Sequence, residues 1–137
     1  MVIWDFQLGD TNAIREWAAD IRLGKRDKGL LDQKLDALTR LRFDLATHTH
    51  LVAGPLRTSA DKHIYKLRVN ASIMIRILLC RGPIGEEDGV TLLAGATERD
   101  GNLVPSSVVE TASSRRGLVV SKAEKYRRRH ERFSGGA

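Results

Sequence analysis

The chain has 137 residues, 42% of them hydrophobic, and carries 23 Lys and Arg against 17 Asp and Glu, for a net charge of +6. That size suits one domain burying about two thirds of its unfolded surface, and no apolar run approaches the roughly 20 residues of a membrane span. The opening MVIWDFQLGD lacks the basic-then-apolar pattern of a secretory leader, and the single cysteine, Cys80, excludes an internal disulfide; both lead to the expectation of a soluble, cytoplasmic protein.

Val2 to Leu8 holds Val, Ile, Trp and Phe and predicts a first strand ending at Gly9. Asp10 or Thr11 can cap the next helix, whose apolar residues Ile14, Trp17, Ala18 and Ile21 form one stripe running to Leu23. Leu31, Leu35, Leu38 and Leu45 predict a second helix from Asp27 to Thr47, so that the two form a hairpin needing a sheet beneath it. Thr47-His48-Thr49-His50 sets two histidines two apart. No Cys, Asp or Glu at ligand spacing completes a metal site, which favours exposed histidines at a helix end.

Residues 51 to 61 read as a loop. From Lys62 to Arg81 the sequence KHIYKLRVNASIMIRILLCR predicts two antiparallel strands around a turn at Asn70-Ala71-Ser72. This register sets Tyr65, Leu67 and Val69 opposite Ile77, Ile75 and Ile73 on an apolar face, where His63 would also pack. The other face carries Lys62, Lys66, Arg68, Met74, Arg76 and Leu78, with Lys66 opposite Arg76. Like charges facing across a ladder cost roughly 0.2–1 kcal/mol. A phosphate on that face would convert the repulsion into attraction.

Gly82-Pro83 and the acidic GEEDG read as a flexible loop before a central strand, Val90 to Thr97. Gly95 within it permits either a close approach of backbone or ligand or an ordinary bend. ERDGN is a turn, and Pro105 can open a helix that stops near Gly117. Ser121 to Glu124 matches a capping box, predicting a last, basic helix over about residues 117–133, and then a disordered SGGA at 134–137. Residues 1–114 are electrically neutral, with 15 charges of each sign. All the excess lies in Arg115, Arg116, Lys122, Lys125, Arg127, Arg128, Arg129 and Arg132. Such density suits nucleic acid or another polyanion, or else a solvated helix or a frayed end. These elements imply an α+β fold class: a small antiparallel meander with an N-terminal strand, a helical hairpin packed on it and C-terminal helices.

This order, with IYKLRV at 64–69, IRILL at 75–79, VTLLAGATERDGNLVP at 90–105 and VVETA at 108–112, resembles the RelE-like toxins of bacterial type II toxin–antitoxin systems, and most of all their HigB-like, phage-derived branch. The likeness spans about residues 2–115. It implies a single toxin domain acting as a metal-independent, cofactor-free endoribonuclease that cuts messenger RNA on the ribosome and is neutralised by a helix-turn-helix antitoxin. In such toxins the 2′-hydroxyl attacks the adjacent phosphate while basic side chains stabilise the phosphorane. By motif, Lys66, Arg68, Arg76 and Arg99 take the catalytic positions, with Lys62, Arg115, Arg116, Lys122, Lys125, Arg127, Arg128 and Arg129 left to hold RNA. Glu98 stands where the family often has a second basic residue. The resemblance leaves two alternatives open: a ParE-like toxin that poisons gyrase without cleaving, and an accessory RNA-binding protein working through its tail.

Overall fold

A computed structural model describes residues 1–57, 59–82 and 89–133. The Gly82-Pro83 and GEEDG loop falls largely outside them, as does the SGGA tail. The elements are β1 (Val2–Leu8), β2 (Thr11–Asn12), α1 (Ala13–Asp20), α2 (Lys25–Thr39), α3 (Phe43–His48), β3 (Val52–Ala53), β4 (Tyr65–Asn70), β5 (Met74–Arg81), β6 (Gly89–Arg99), β7 (Asn102–Val104), α4 (Val108–Ser121), α5 (Ala123–Tyr126) and β8 (Arg127–Arg129). The class is α+β, as expected. The sheet runs β2-β1-β6-β5-β4-β3, with β7 added to β6 and β8 to β1. It is mixed rather than purely antiparallel, because β1 runs parallel to β6.

Both faces of the sheet are covered. Ile14 and Ala18 of α1, Leu31, Leu35 and Leu38 of α2, and Phe43 and Ala46 of α3 pack on Ile3, Leu67, Ile75, Ile77 and Leu92. On the opposite face Val108, Ala112 and Val119 of α4 pack on Phe6, Leu78, Cys80, Ala94 and Ala96. Central strands buried on both sides read as continuous apolar runs, which is the pattern of ILLC and VTLLAGA. The close approach at Gly95 is made by Trp17, since a Cβ there would lie 2.1 Å from the indole.

Three expected elements differ. The predicted second helix is two helices, because α2 ends at Thr39, where Arg40 N and Leu41 N donate back three residues to the carbonyls of Ala37 and Leu38 and tighten the last turn, and α3 begins only at Phe43. The helix after Pro105 starts at Val108 and continues through Gly117 to Ser121, because Val119 is fully buried and holds the last turn down. Ser121 Oγ donates back to Leu118 O at 2.7 Å and so closes α4 instead of capping a new helix.

The basic helix expected over 117–133 is the largest correction. Only Ala123–Tyr126 is helical beyond α4, and Arg127–Arg129 forms β8, antiparallel to β1. A continued helix would set Lys125 beside Arg128 and Arg129, and Arg128 and Arg129 beside Arg132. Each such pair costs a few tenths of a kcal/mol. As a strand, the same residues satisfy the open edge of β1 and place Arg127 and Arg129 over the Trp4 ring, at 3.8 and 5.5 Å from its centroid. The chain is then clasped to β1 and α2: His130 N donates to Ile3 O, His130 Nδ1 lies 2.9 Å from the fully buried Asp5 carboxylate, and Phe133 N donates to Asp32.

Candidate functional site

The β4–β5 hairpin has the expected two faces but not the expected register. Asn70 pairs with Met74, and the turn is Ala71-Ser72-Ile73. Asp27 of α2 selects this turn by accepting from both the backbone N–H and the hydroxyl of Ser72, and these bonds hold its carboxyl below the usual value. Moving the turn by one residue changes each pairing by two, so every side chain keeps its face while its partner changes. Arg68, not Lys66, lies opposite Arg76, and Lys66 lies opposite Leu78. His63 lies exposed before β4 and does not pack.

On β6 the register shifts between Leu78 and Leu79 of β5: Ala94 pairs with Leu78 and Leu92 with Leu79, leaving Leu93 as a bulge. A bulge re-aims the residues beyond it. Gly95 and Thr97 therefore turn toward α1, while Ala96 and Glu98 share the face of Arg76. Arg99 alternates to the opposite face and ends exposed at the Asp100-Gly101 turn, where φ values of 51° and 80° suit a two-residue hairpin loop.

The structure thus gathers Lys66, Arg68 and Arg76 on one face and sets Glu98, rather than Arg99, among them. Arg76 is 5% exposed; its Nη2 lies 3.2 Å from Glu98 Oε2, and its Nη1 donates to Asn70 Oδ1 at 3.3 Å and to Ile75 O at 2.8 Å. Lys66 Nζ lies 3.9 Å from the other Glu98 oxygen. Burial pushes the Lys66 ammonium below its ordinary pKa, the charges of Arg68 and Arg76 add to that, and Glu98 partly opposes it. A cleft of about 430 Å³ opens beside this group, lined by Lys66, Glu98, Leu103, Val109 and Glu110 among others. Fixed cations with a carboxylate between them can hold a phosphate and pass protons at one place.

The residues expected to hold RNA are not gathered there. Lys62 lies before β4 and donates to Ser59 O at 3.3 Å. Arg115 turns inward, donating to the carbonyl of the bulged Leu93 at 2.8 Å and lying 5.2 Å over the Phe6 ring. Arg116 pairs with Asp61 at 3.4 Å and ties α4 to the loop before β4. Lys122, Lys125, Arg128 and Arg129 are exposed and Arg127 is half-buried. Cys80 is buried, and burial pushes its thiol up to about 11, so it is filler in the core.

Sequence reasoning took Glu98 only as a departure from the family's pattern and did not count it or Glu110 among the site residues. Glu98 had a signal, since it sits two residues beyond Ala96 in a strand with period two, but its face depends on the bulge. Among the described residues no three His, Cys, Asp or Glu side chains stand close enough to hold a metal ion, and no helix is long and apolar enough to cross a membrane. No family model, curated protein or solved structure matches the chain.

Proposed function

We propose that the chain is a RelE-like toxin: a cytoplasmic, metal-independent endoribonuclease that cleaves messenger RNA on the ribosome and is held inactive by a cognate antitoxin with a helix-turn-helix DNA-binding part. The observation that carries this reading is the Lys66–Arg76–Glu98 cluster, of which Lys66 and Glu98 line the cleft. Glu98 takes the proton of the 2′-hydroxyl, whose oxygen attacks the adjacent phosphorus. Arg76 and Arg68 balance the charge of the phosphorane. The P–O5′ bond breaks as Lys66 gives a proton to the leaving oxygen, producing a 2′,3′-cyclic phosphate and a 5′-hydroxyl. A lysine whose pKa is lowered is a better donor near neutral pH than an ordinary one. Positioned proton transfer contributes about 10²–10⁴-fold.

The same ion pairing favours one competing reading. With Glu98 neutralising Lys66 and Arg76, the face also suits a non-cleaving, ParE-like toxin that binds gyrase. Induced expression in bacteria, with primer extension on abundant messages, separates the two. Cuts within translated regions that fall at least 100-fold with Lys66→Ala support the nuclease. Growth arrest without cuts supports the gyrase binder. Lys66→Ala serves better than Arg76→Ala, because Arg76 is almost fully buried and its loss perturbs the sheet itself.

A further inference from the structure

The cleft beside the cation cluster has walls that the cleavage chemistry does not use. Leu56, Leu103 and Val109 are partly buried and present apolar surface. Glu110, on the first turn of α4, also lines the cleft; its side chain has no hydrogen bond or ion pair with any described residue, whereas Glu98 takes both cations. Asn102 lines the same cleft, its amide making one long bond of 3.4 Å to Asp100 O. The volume, about 430 Å³, lies within the ordinary range of about 300–1,000 Å³ for small-ligand sites.

We propose that this cleft seats one nucleobase of the RNA next to the scissile phosphate and that Glu110 selects guanine. A phosphate held by Lys66 and Arg76 leaves its attached nucleoside at the cleft mouth, where Lys66 and Glu98 are themselves part of the wall. A base splayed out of a single strand lies between apolar side chains and is read on its edge. Guanine presents N1–H and N2–H side by side, two parallel donors that a carboxylate accepts together. Adenine and cytosine present one donor beside an acceptor, which the carboxylate repels, and uracil has a single N–H between two carbonyls. The Asn102 amide supplies a donor for the guanine O6. The inference rests on the nuclease reading for why RNA is delivered here, but binding tests it without cleavage.

The experiment is titration of the full chain with 3′-GMP, 3′-AMP, 3′-CMP and 3′-UMP, read by NMR of the Leu103 and Val109 methyl groups, for wild type and Glu110→Gln. The expected result is guanine bound about ten-fold more tightly than the others, the low end of what one bidentate pair discriminates. Glutamine offers one acceptor and one donor, which no longer matches the two parallel donors of guanine, so E110Q loses the guanine preference while Arg76 still responds to phosphate. Equal binding of the four by wild type, a preference that persists in E110Q, or no binding overturns the proposal. Messages cut without bias toward guanine beside the cut would sink the base site and leave the nuclease standing. Selective 3′-GMP binding in a protein that cuts nothing would do the reverse.

Discussion

Replacing Glu98 by Gln removes the one negative charge that Lys66 and Arg76 share while keeping the shape of the side chain. Arg76 is 5% exposed and Glu98 28% exposed at its side chain, so their 3.2 Å contact is partly shielded from water. A hydrogen bond to a charged group contributes about 1.5–3 kcal/mol, and the longer contact to Lys66 adds under about 1 kcal/mol. The glutamine oxygen still accepts from Arg76, which puts the net loss near 2 kcal/mol. With unfolding entropy of about 2.1 cal/mol/K per residue, roughly 0.3 kcal/mol/K for the chain, that is a fall of about 7 °C in Tm. Phosphate then takes the place of the carboxylate, and at ten times its Kd it restores roughly 1.4 kcal/mol, an increment that wild type shows less of. Removing Glu98 also removes the charge that holds the Lys66 pKa up, so the basic limb of any residual pH–rate profile moves to lower pH. Thermal melts of both proteins in chloride and in phosphate make the test. E98Q melting at the wild-type temperature and indifferent to phosphate would refute the view that the cations depend on that carboxylate.

Gly95→Ala drives a methyl group into the Trp17 indole, 2.1 Å away, and overpacking of this kind costs about 1–3 kcal/mol; urea denaturation should show it, with much of the loss recovered in the double variant with Trp17→Leu. The carboxyl of Asp27 is held below its usual value by Ser72, so its contribution is present above about pH 4 and is lost as pH falls through the native value. Asp27→Asn should therefore flatten the acid limb of the stability curve, and a limb of unchanged slope counts against the hairpin contact. Burial raises Cys80 to about 11, so a disulfide-exchange reagent at pH 8 should label it only at the rate of unfolding. Rapid labelling of native protein contradicts its burial.

Local pattern made part of this molecule legible and long-range pairing hid the rest. The bounds of β1, the stripe of α1 and the two faces of β4 and β5 come from periods of two and 3.6, which belong to neighbouring residues. The hairpin register does not, because Asp27 sets the turn from 45 positions away. Nor does the bulge at Leu93, which nothing in VTLLAGAT marks and which decides that Glu98, not Arg99, meets Arg76. The N-cap shows the same limit on a smaller scale. Asn12, one residue past Thr11, caps α1 through bonds of 3.1 Å to Ile14 and Arg15, and is itself positioned by donating to Asp5 at 2.8 Å.

The C-terminal charge run shows how a count misleads without a topology. Eight basic residues after residue 114 look like a separable arm for a polyanion. Yet Arg115 fills the bulge carbonyl, Arg116 anchors a loop, and Arg132 pairs with Asp36 at 3.1 Å. Arg15 donates to the carbonyls of Glu131 and Arg132, which draws the last turn of chain over α1. Deleting this segment would uncover Phe6, Trp4 and the Asp5 carboxylate, so truncation measures folding rather than RNA binding. By strand parity Arg127 and Arg129 share the sheet face of Arg76, but α4 packs between them over Leu78, Cys80 and Ala96. The positive charge therefore forms two patches separated by a helix. Under the proposed nuclease reading, RNA would engage the cleft without needing the tail, and substitutions at Arg128 and Arg129, both exposed, are the ones that isolate what the tail contributes.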